Sequence, residues 1–163
     1  MEITAISLTT DPVLLTQFGA YDKVMDWVDG AARLCEIYMT SASSMATNVL
    51  AKAGGNRISR LNVIAHGSPA LVLFGNDLIG MQNFRRFETS FLRLRHRFTE
   101  NGFVHFQICE IGQNFGLLKF FAKAFGVPVV AGAGSENTLF RFNWGTYTKC
   151  YPTGLCTPNI SRP

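Results

Sequence analysis

Four short apolar runs, Ile3 to Leu8, Leu61 to Ala65, Phe103 to Ile108 and Val127 to Ala131, recur along the chain with helix-patterned stretches between them. A run of four to eight residues that is apolar at both parities reads as a strand buried on both faces, and such strands belong to parallel sheets joined by helices. The succession strand, helix, strand, helix, strand, helix, strand therefore predicts a three-layer α/β sandwich with a mainly parallel central sheet. With 163 residues, 47% of them hydrophobic, the chain is long enough for one such core and too short for two. The expected domain is 1–156, with a loose tail from 157.

Between the first two runs the pattern is helical from Tyr21 to Ala53, with Val24, Trp27, Val28, Ala31, Leu34, Cys35 and Tyr38 on one stripe. A break near Thr40 to Ser44 splits it into two helices. After the second run, Ser68-Pro69 turns the chain, and Leu71 to Phe74 followed by Gly75-Asn76-Asp77 predicts a small hairpin-like excursion. Phe84, Phe87, Phe91, Leu94 and Phe98 then mark an amphipathic helix from Met81 to Phe98, ended by an Asn101-Gly102 turn. Gln113-Asn114 caps a further helix that Gly126 stops. Phe140, Phe142 and Trp144, alternating ahead of Gly145, predict terminal strands or a hairpin.

The net charge of +4 comes largely from Arg85, Arg86, Arg93, Arg95 and Arg97, which fall on the wet side of the Met81–Phe98 helix. No aromatic residue interleaves with them there, so a solvated face is expected and nucleic acid is not an expected partner. No apolar run approaches the roughly 20 residues needed to span a bilayer, and Glu2 opens an N-terminus without a basic region. No membrane association is expected, and the predicted location is cytoplasmic, or one reached without a cleavable signal peptide. Four cysteines, Cys35, Cys109, Cys150 and Cys156, form no Cys-x-x-Cys pair, and only His66, His96 and His105 stand beside them, so neither metal nor cofactor is expected. Cys150 and Cys156 are close enough to bridge, but the absence of a signal peptide favours free thiols.

Chemistry concentrates at two strand ends. Leu61-Asn62-Val63-Ile64-Ala65 runs into His66-Gly67, and Phe103-Val104-His105-Phe106-Gln107-Ile108 runs into Cys109-Glu110-Ile111-Gly112. Parallel strands present their carboxyl ends on one edge of the sheet, so an imidazole and a thiol are expected side by side at the ligand crevice. A thiol is only slightly ionised near neutral pH, and a nearby base or a helix N-terminus activates it. Gly67 leaves its amide open to a substrate carbonyl, as an oxyanion hole requires. Glu110, Asp77, Asn114 and Glu136 are candidate crevice residues, and Glu110 or Asp77 suits a basic substrate group. His105 shares strand parity with Gln107 and Cys109 but lies below the edge, which marks it as structural. Gly132-Ala133-Gly134 follows a strand as phosphate-binding turns do, yet lacks the third glycine.

The order His-Gly at one strand end, then Cys with glycine soon after at the next, resembles the caspase, legumain and metacaspase superfamily of cysteine peptidases. Cys109-Glu110-Ile111-Gly112 is most similar to the legumain-type Cys-Glu-x-Gly, and Ala65-His66-Gly67-Ser68 to the family's histidine motif. Bacterial caspase-like domains show a similar pattern, and the likeness covers roughly Arg57 to Gly134. The resemblance implies a caspase-like fold and a cysteine hydrolase acting on a peptide or protein substrate. It implies that Cys109 is the nucleophile and His66 the general base and acid, with the amides of Gly67 and Cys109 holding the oxyanion. The alternative is a non-catalytic binding or interaction domain of the same fold, part of a bacterial toxin or delivered effector. That alternative draws on the short chain and on Gln107-Ile108, which stand where the family commonly has acidic residues. The oligomeric state stays open.

Overall fold

Residues 1–8, 36–137 and 142–163 are described by the computed structural model, and the alternation of the apolar runs organises them. In chain order the first elements are β1 (Glu2–Ser7), β2 (Glu36–Met39), helix α1 (Ala42–Ala53) and β3 (Ile58–Ile64). Three short strands follow, β4 (His66–Gly67), β5 (Leu71–Phe74) and β6 (Asp77–Gly80), then helix α2 (Glu88–Leu92) and the long β7 (Phe98–Gln107). Helix α3 (Phe115–Phe125) leads to β8 (Val129–Gly132), β9 (Glu136–Asn137), β10 (Phe142–Asn143), β11 (Tyr147–Cys150) and β12 (Cys156–Ile160). The architecture is α/β, with a mostly parallel, mixed central sheet of seven strands in the order β12-β11-β8-β7-β3-β1-β2. β2, β1, β3, β7 and β8 pair in parallel, and β11 and β12 close that side with antiparallel pairings.

Alternate residues of these strands face two different environments. Ile3 and Ala5, Leu61 and Val63, Val104 and Phe106, and Val129 and Ala131 share one buried cluster with the apolar positions of α1, α2 and α3. Phe121 of α3 is its hub, meeting Phe106 edge-on at 4.8 Å and Phe84 at 4.9 Å between ring centroids. Such edge-to-face pairs each contribute about 0.5–1.5 kcal/mol beyond their buried area. The opposite parity is more polar, with Ile6 and Ile64 as a small apolar pair beside buried Thr4, Asn62 and His105. These polar groups are joined in one network that leaves only the far nitrogen of His105, Nε2, without a partner among the described residues. Asn62 Nδ2 donates to Glu2 Oε1 at 2.6 Å, Arg60 Nε donates to Asn62 Oδ1 at 2.8 Å, and Arg60 Nη2 donates to His105 Nδ1 at 2.9 Å.

Several expectations from the sequence need correction. The three described helices lie on one side of the sheet, and the helical stretch expected over 21–35 falls outside the described residues. Glu36–Met39, read as part of that helix, is strand β2, because Ile37 and Met39 are buried while Tyr38 between them is exposed. The break at Thr40 to Ser44 is the start of α1, where Ser41 and Ser44 form a reciprocal cap. Met81 to Phe98 is not one helix but a 3-10 turn (Phe84–Arg86), the five-residue α2 and further turns. Its backbone bonds are mostly i to i+3, as in Phe87 N–H to Phe84 O and Leu94 N–H to Phe91 O, so the phenylalanines still bury while the backbone tightens. Residues 157–160, expected to be loose, belong to β12 and pair with β11. Cys150 and Cys156, expected as free thiols, are a disulfide linking those two strands. Among the described residues no helix is long and apolar enough to cross a membrane.

Candidate active site

Register fixes where His66 and Cys109 emerge. Across the β3–β7 pairing, Leu61 faces Val104, Val63 faces Phe106 and Ile64 faces Gln107. The pairing then loosens, with Ala65 N–H donating to Gln107 O at 3.4 Å, and His66 and Cys109 each stand two residues beyond the last matched pair. Ala65 and Ile108, the residues in between, both bury in the helix-side core, so alternation directs His66 and Cys109 to the other side. Both are half-buried at the carboxyl edge of adjacent strands, and Cys109 is a free thiol. β3 also adjoins β1, whose neighbours β2 and β3 lie on opposite sides of it. An open α/β sheet forms its ligand crevice where the strand order reverses in this way.

The three short strands shape the rim around His66. β4 pairs antiparallel with β5, placing His66 opposite Leu73 and Gly67 opposite Val72. Ser68 N–H donates to Leu71 O at 2.9 Å, and because bonded and non-bonded pairs alternate in such a ladder, the Gly67 N–H points away from β5. Gly67 must be glycine for a second reason. A Cβ there would overlap Ile108 Cγ2 and stand 2.9 Å from Leu71 O, so the strand carrying histidine touches the loop carrying cysteine. Ser7 at the end of β1 holds this small sheet in place, its hydroxyl donating to Leu73 O at 2.9 Å and accepting from Gly75 N–H at 2.7 Å.

Cys109 is framed from the other side by the segment after β8. Glu110 takes a left-handed conformation (φ 58°) that turns the chain sharply after the thiol, and its N–H donates to Gly134 O at 2.8 Å. Gln113 Nε2 donates to Ala133 O at 2.7 Å, and the Glu136 N–H donates to Cys109 Sγ at 3.3 Å. Asn143 organises this segment. Its Oδ1 accepts from Gly134 N–H and Gly145 N–H at 2.8 Å each, and its Nδ2 donates to Gly134 O at 2.6 Å and Glu136 Oε2 at 3.1 Å. A Cβ on Gly132 would collide with this amide, so Gly132-Ala133-Gly134 is glycine-rich for close packing against Asn143. Burial raises the Glu136 carboxyl above its usual range, opposed by the Asn143 hydrogen bond and by Arg162. Its Oε1 is buried with no hydrogen-bond partner among the described residues.

The structure separates the other expected site residues. Glu110 stands beside the thiol, part-exposed. Asp77 does not reach the pair: its Oδ2 accepts from Ala42 N–H at 2.8 Å, at the start of α1 and beyond the end of β2. Asn114 caps α3, its Oδ1 accepting from Leu117 N–H at 2.9 Å. That helix begins six residues after Cys109, behind a 3-10 turn (Ile111–Gln113), rather than directly behind the thiol. A cavity of about 460 Å³ borders Asn114, Ala70, Leu71 and Met81, next to the turn that follows His66. A second, of about 380 Å³, lies further along α3 at Phe84, Phe120 and Lys123, away from the pair.

His105 is fully buried two residues below the rim, its ring 5.8 Å from that of Tyr147. Burial, and then the charges of Arg60 and Arg162, push its pKa from 6.5 down to about 3. It is therefore a neutral ring that accepts from Arg60, as its structural reading requires. Glu136, like Glu110, was expected as a crevice residue, but its backbone contact with the thiol, the part played by Asn143 and the turn at Glu110 were missed. Gly132-Ala133-Gly134, which follows a strand as phosphate-binding turns do, is instead glycine-rich where it packs on Asn143. Compared with known proteins, the chain matches no family model, no curated sequence and no solved structure.

Proposed function

We propose that the chain is a cysteine hydrolase of caspase-like fold, a peptidase that works through a Cys109–His66 dyad and a thioester intermediate. The observation that carries this reading is the β3–β7 register, which leaves an imidazole and a free thiol two residues beyond the same matched pair. In the proposed reaction His66 takes the Cys109 proton while the sulfur attacks the peptide carbonyl carbon. The oxyanion so formed accepts from the Gly67 N–H, which is turned away from β5, and from the Cys109 N–H. Collapse breaks the C–N bond, His66 gives its proton to the leaving amine, and a thioester remains. Water, deprotonated by His66, then hydrolyses the thioester and frees the acid product and the thiol. The Glu136 N–H, which donates to Cys109 Sγ at 3.3 Å, holds the sulfur in place for the attack. The cavity beside Asn114 and Leu71 offers room for substrate residues flanking the scissile bond.

The test is hydrolysis of a mixed peptide library, read by mass spectrometry, with wild type, Cys109→Ala and His66→Ala. Cleavage by wild type alone supports the proposal, with the His66 variant down by about 10²–10⁴-fold. Equal cleavage by wild type and Cys109→Ala, or none by any of the three alongside slow iodoacetamide labelling of Cys109, overturns it.

A further inference from the structure

We infer that Asn114 is a positioning residue that sets the separation of His66 and Cys109, by tying the loop behind one to the helix cap behind the other. Its side-chain amide is divided between two tasks. Oδ1 accepts from Leu117 N–H at 2.9 Å and closes the first turn of α3. Nδ2 donates to Pro69 O at 2.8 Å, across 45 residues of sequence. Pro69 lies three residues after His66, in the turn that Ser68 N–H and Leu71 O close. Asn114 lies five residues after Cys109, and its own N–H donates to Ile111 O at 2.9 Å, which keeps it attached to the 3-10 turn behind the thiol. The tie therefore joins the segment that aims the imidazole to the segment that aims the sulfur. On the near side the two segments already touch at Gly67 and Ile108. Two separated contacts fix both the distance and the tilt between them, where one contact alone leaves a hinge.

The chemistry of the amide matters here. Capping needs only an acceptor, which Ser and Asp supply as well as Asn does. The tie to Pro69 O needs a donor with the reach of Nδ2. Asp cannot donate when ionised, and the Ser hydroxyl is too short to bridge.

The inference rests on the proposed coupling of His66 with Cys109, and a set of four proteins separates the two. Iodoacetamide labelling of Cys109, followed by mass spectrometry, is compared in wild type, Asn114→Ser, His66→Ala and the double variant, with Tm recorded for each. Asn114→Ser keeps the cap, so its Tm is expected within about 2 °C of wild type. Its labelling of Cys109 is expected to slow about tenfold or more, because small misplacements of reacting groups carry rate costs of that order. The double variant is expected to label no more slowly than His66→Ala alone, since the tie acts through the imidazole. Wild-type labelling in Asn114→Ser overturns the inference and leaves the dyad standing. Multiplying losses in the double variant overturn it as well, as does a slow Asn114→Ser in a protein whose His66→Ala labels normally. That last outcome also removes the dyad.

Discussion

The amide of Glu136 donates to the sulfur of Cys109 at 3.3 Å, from a strand that begins 27 residues further along the chain. It is held there by Asn143, whose side chain makes hydrogen bonds to Gly134, Gly145 and Glu136. Asn143→Ala leaves the Gly134 and Gly145 groups without these partners in a part-buried segment. A loss of about 1–2 kcal/mol in urea unfolding is expected from groups stranded in this way. Labelling of Cys109 by iodoacetamide should change in the same variant, because the sulfur loses the donor that fixes its position. An unchanged labelling rate would show that the amide contact does not govern the thiol.

Gly67→Ala tests the near contact between the two loops. Its new methyl group would overlap Ile108 Cγ2 and press on Leu71 O, and backbone on one side leaves little room to give. The variant is expected to lose about 1–3 kcal/mol, the usual cost of overpacking. More informative is its effect on chemistry. By pushing β4 off the Cys109 loop it should reduce peptide cleavage by a larger factor than it reduces the folded fraction. Cleavage that simply tracks the folded fraction would sink the assignment of Gly67 to the oxyanion site.

The placement of His66 and Cys109 at adjacent strand ends was legible because the helix-facing parity of both strands is continuously apolar, and parallel strands put their carboxyl ends together. Helix α3 was legible for a similar reason, being bounded by Asn114 and Gly126, residues with strong end preferences. β2 was hidden because four residues of alternation sat at the end of a helical stripe ending at Tyr38, too few to outweigh it. The segment from Phe84 to Phe98 misled because spacings of three and four suit an α-helix and a series of 3-10 turns alike. β12 was hidden by Pro158 and Asn159, which an edge strand tolerates since one of its sides needs no hydrogen bonds. Contacts made by backbone, such as Glu136 N–H on Cys109 Sγ or Glu110 N–H on Gly134 O, carry no residue signature at all.

The disulfide between Cys150 and Cys156 lies between paired residues of β11 and β12, next to the Tyr151 N–H to Leu155 O bond. Closing a loop this short restricts the unfolded chain modestly, so reduction is expected to cost about 2 kcal/mol. A phosphine reductant should therefore lower the urea midpoint of wild type and leave that of a Cys150→Ala, Cys156→Ala double variant unmoved. Equal midpoints for wild type with and without reductant would mean that the bond contributes nothing to stability, or does not form. The bond persists only under oxidising conditions. Labelling of Cys109 is therefore best followed without reductant, where Cys150 and Cys156 do not compete.

His105 gives the fold a defined response to acid. The unfolded chain takes up a proton at this ring near pH 6.5, whereas the native ring, buried against Tyr147 and facing Arg60, takes one up only near pH 3. Between those values the unfolded state binds the extra proton, so stability falls as the pH falls, at up to about 1.4 kcal/mol per pH unit. Glu136 acts in the opposite sense. Its raised pKa means that the native state holds a proton longer than the unfolded one, so its contribution declines as the pH rises above 4.5. Subtracting a variant from wild type isolates the histidine. His105→Gln keeps an acceptor for Arg60 but does not titrate, and its urea midpoint should fall less steeply than that of wild type from pH 6.5 to pH 4. Parallel acid limbs would mean that the native ring takes up its proton as readily as the unfolded one, and that His105 is not sealed between β3 and β11.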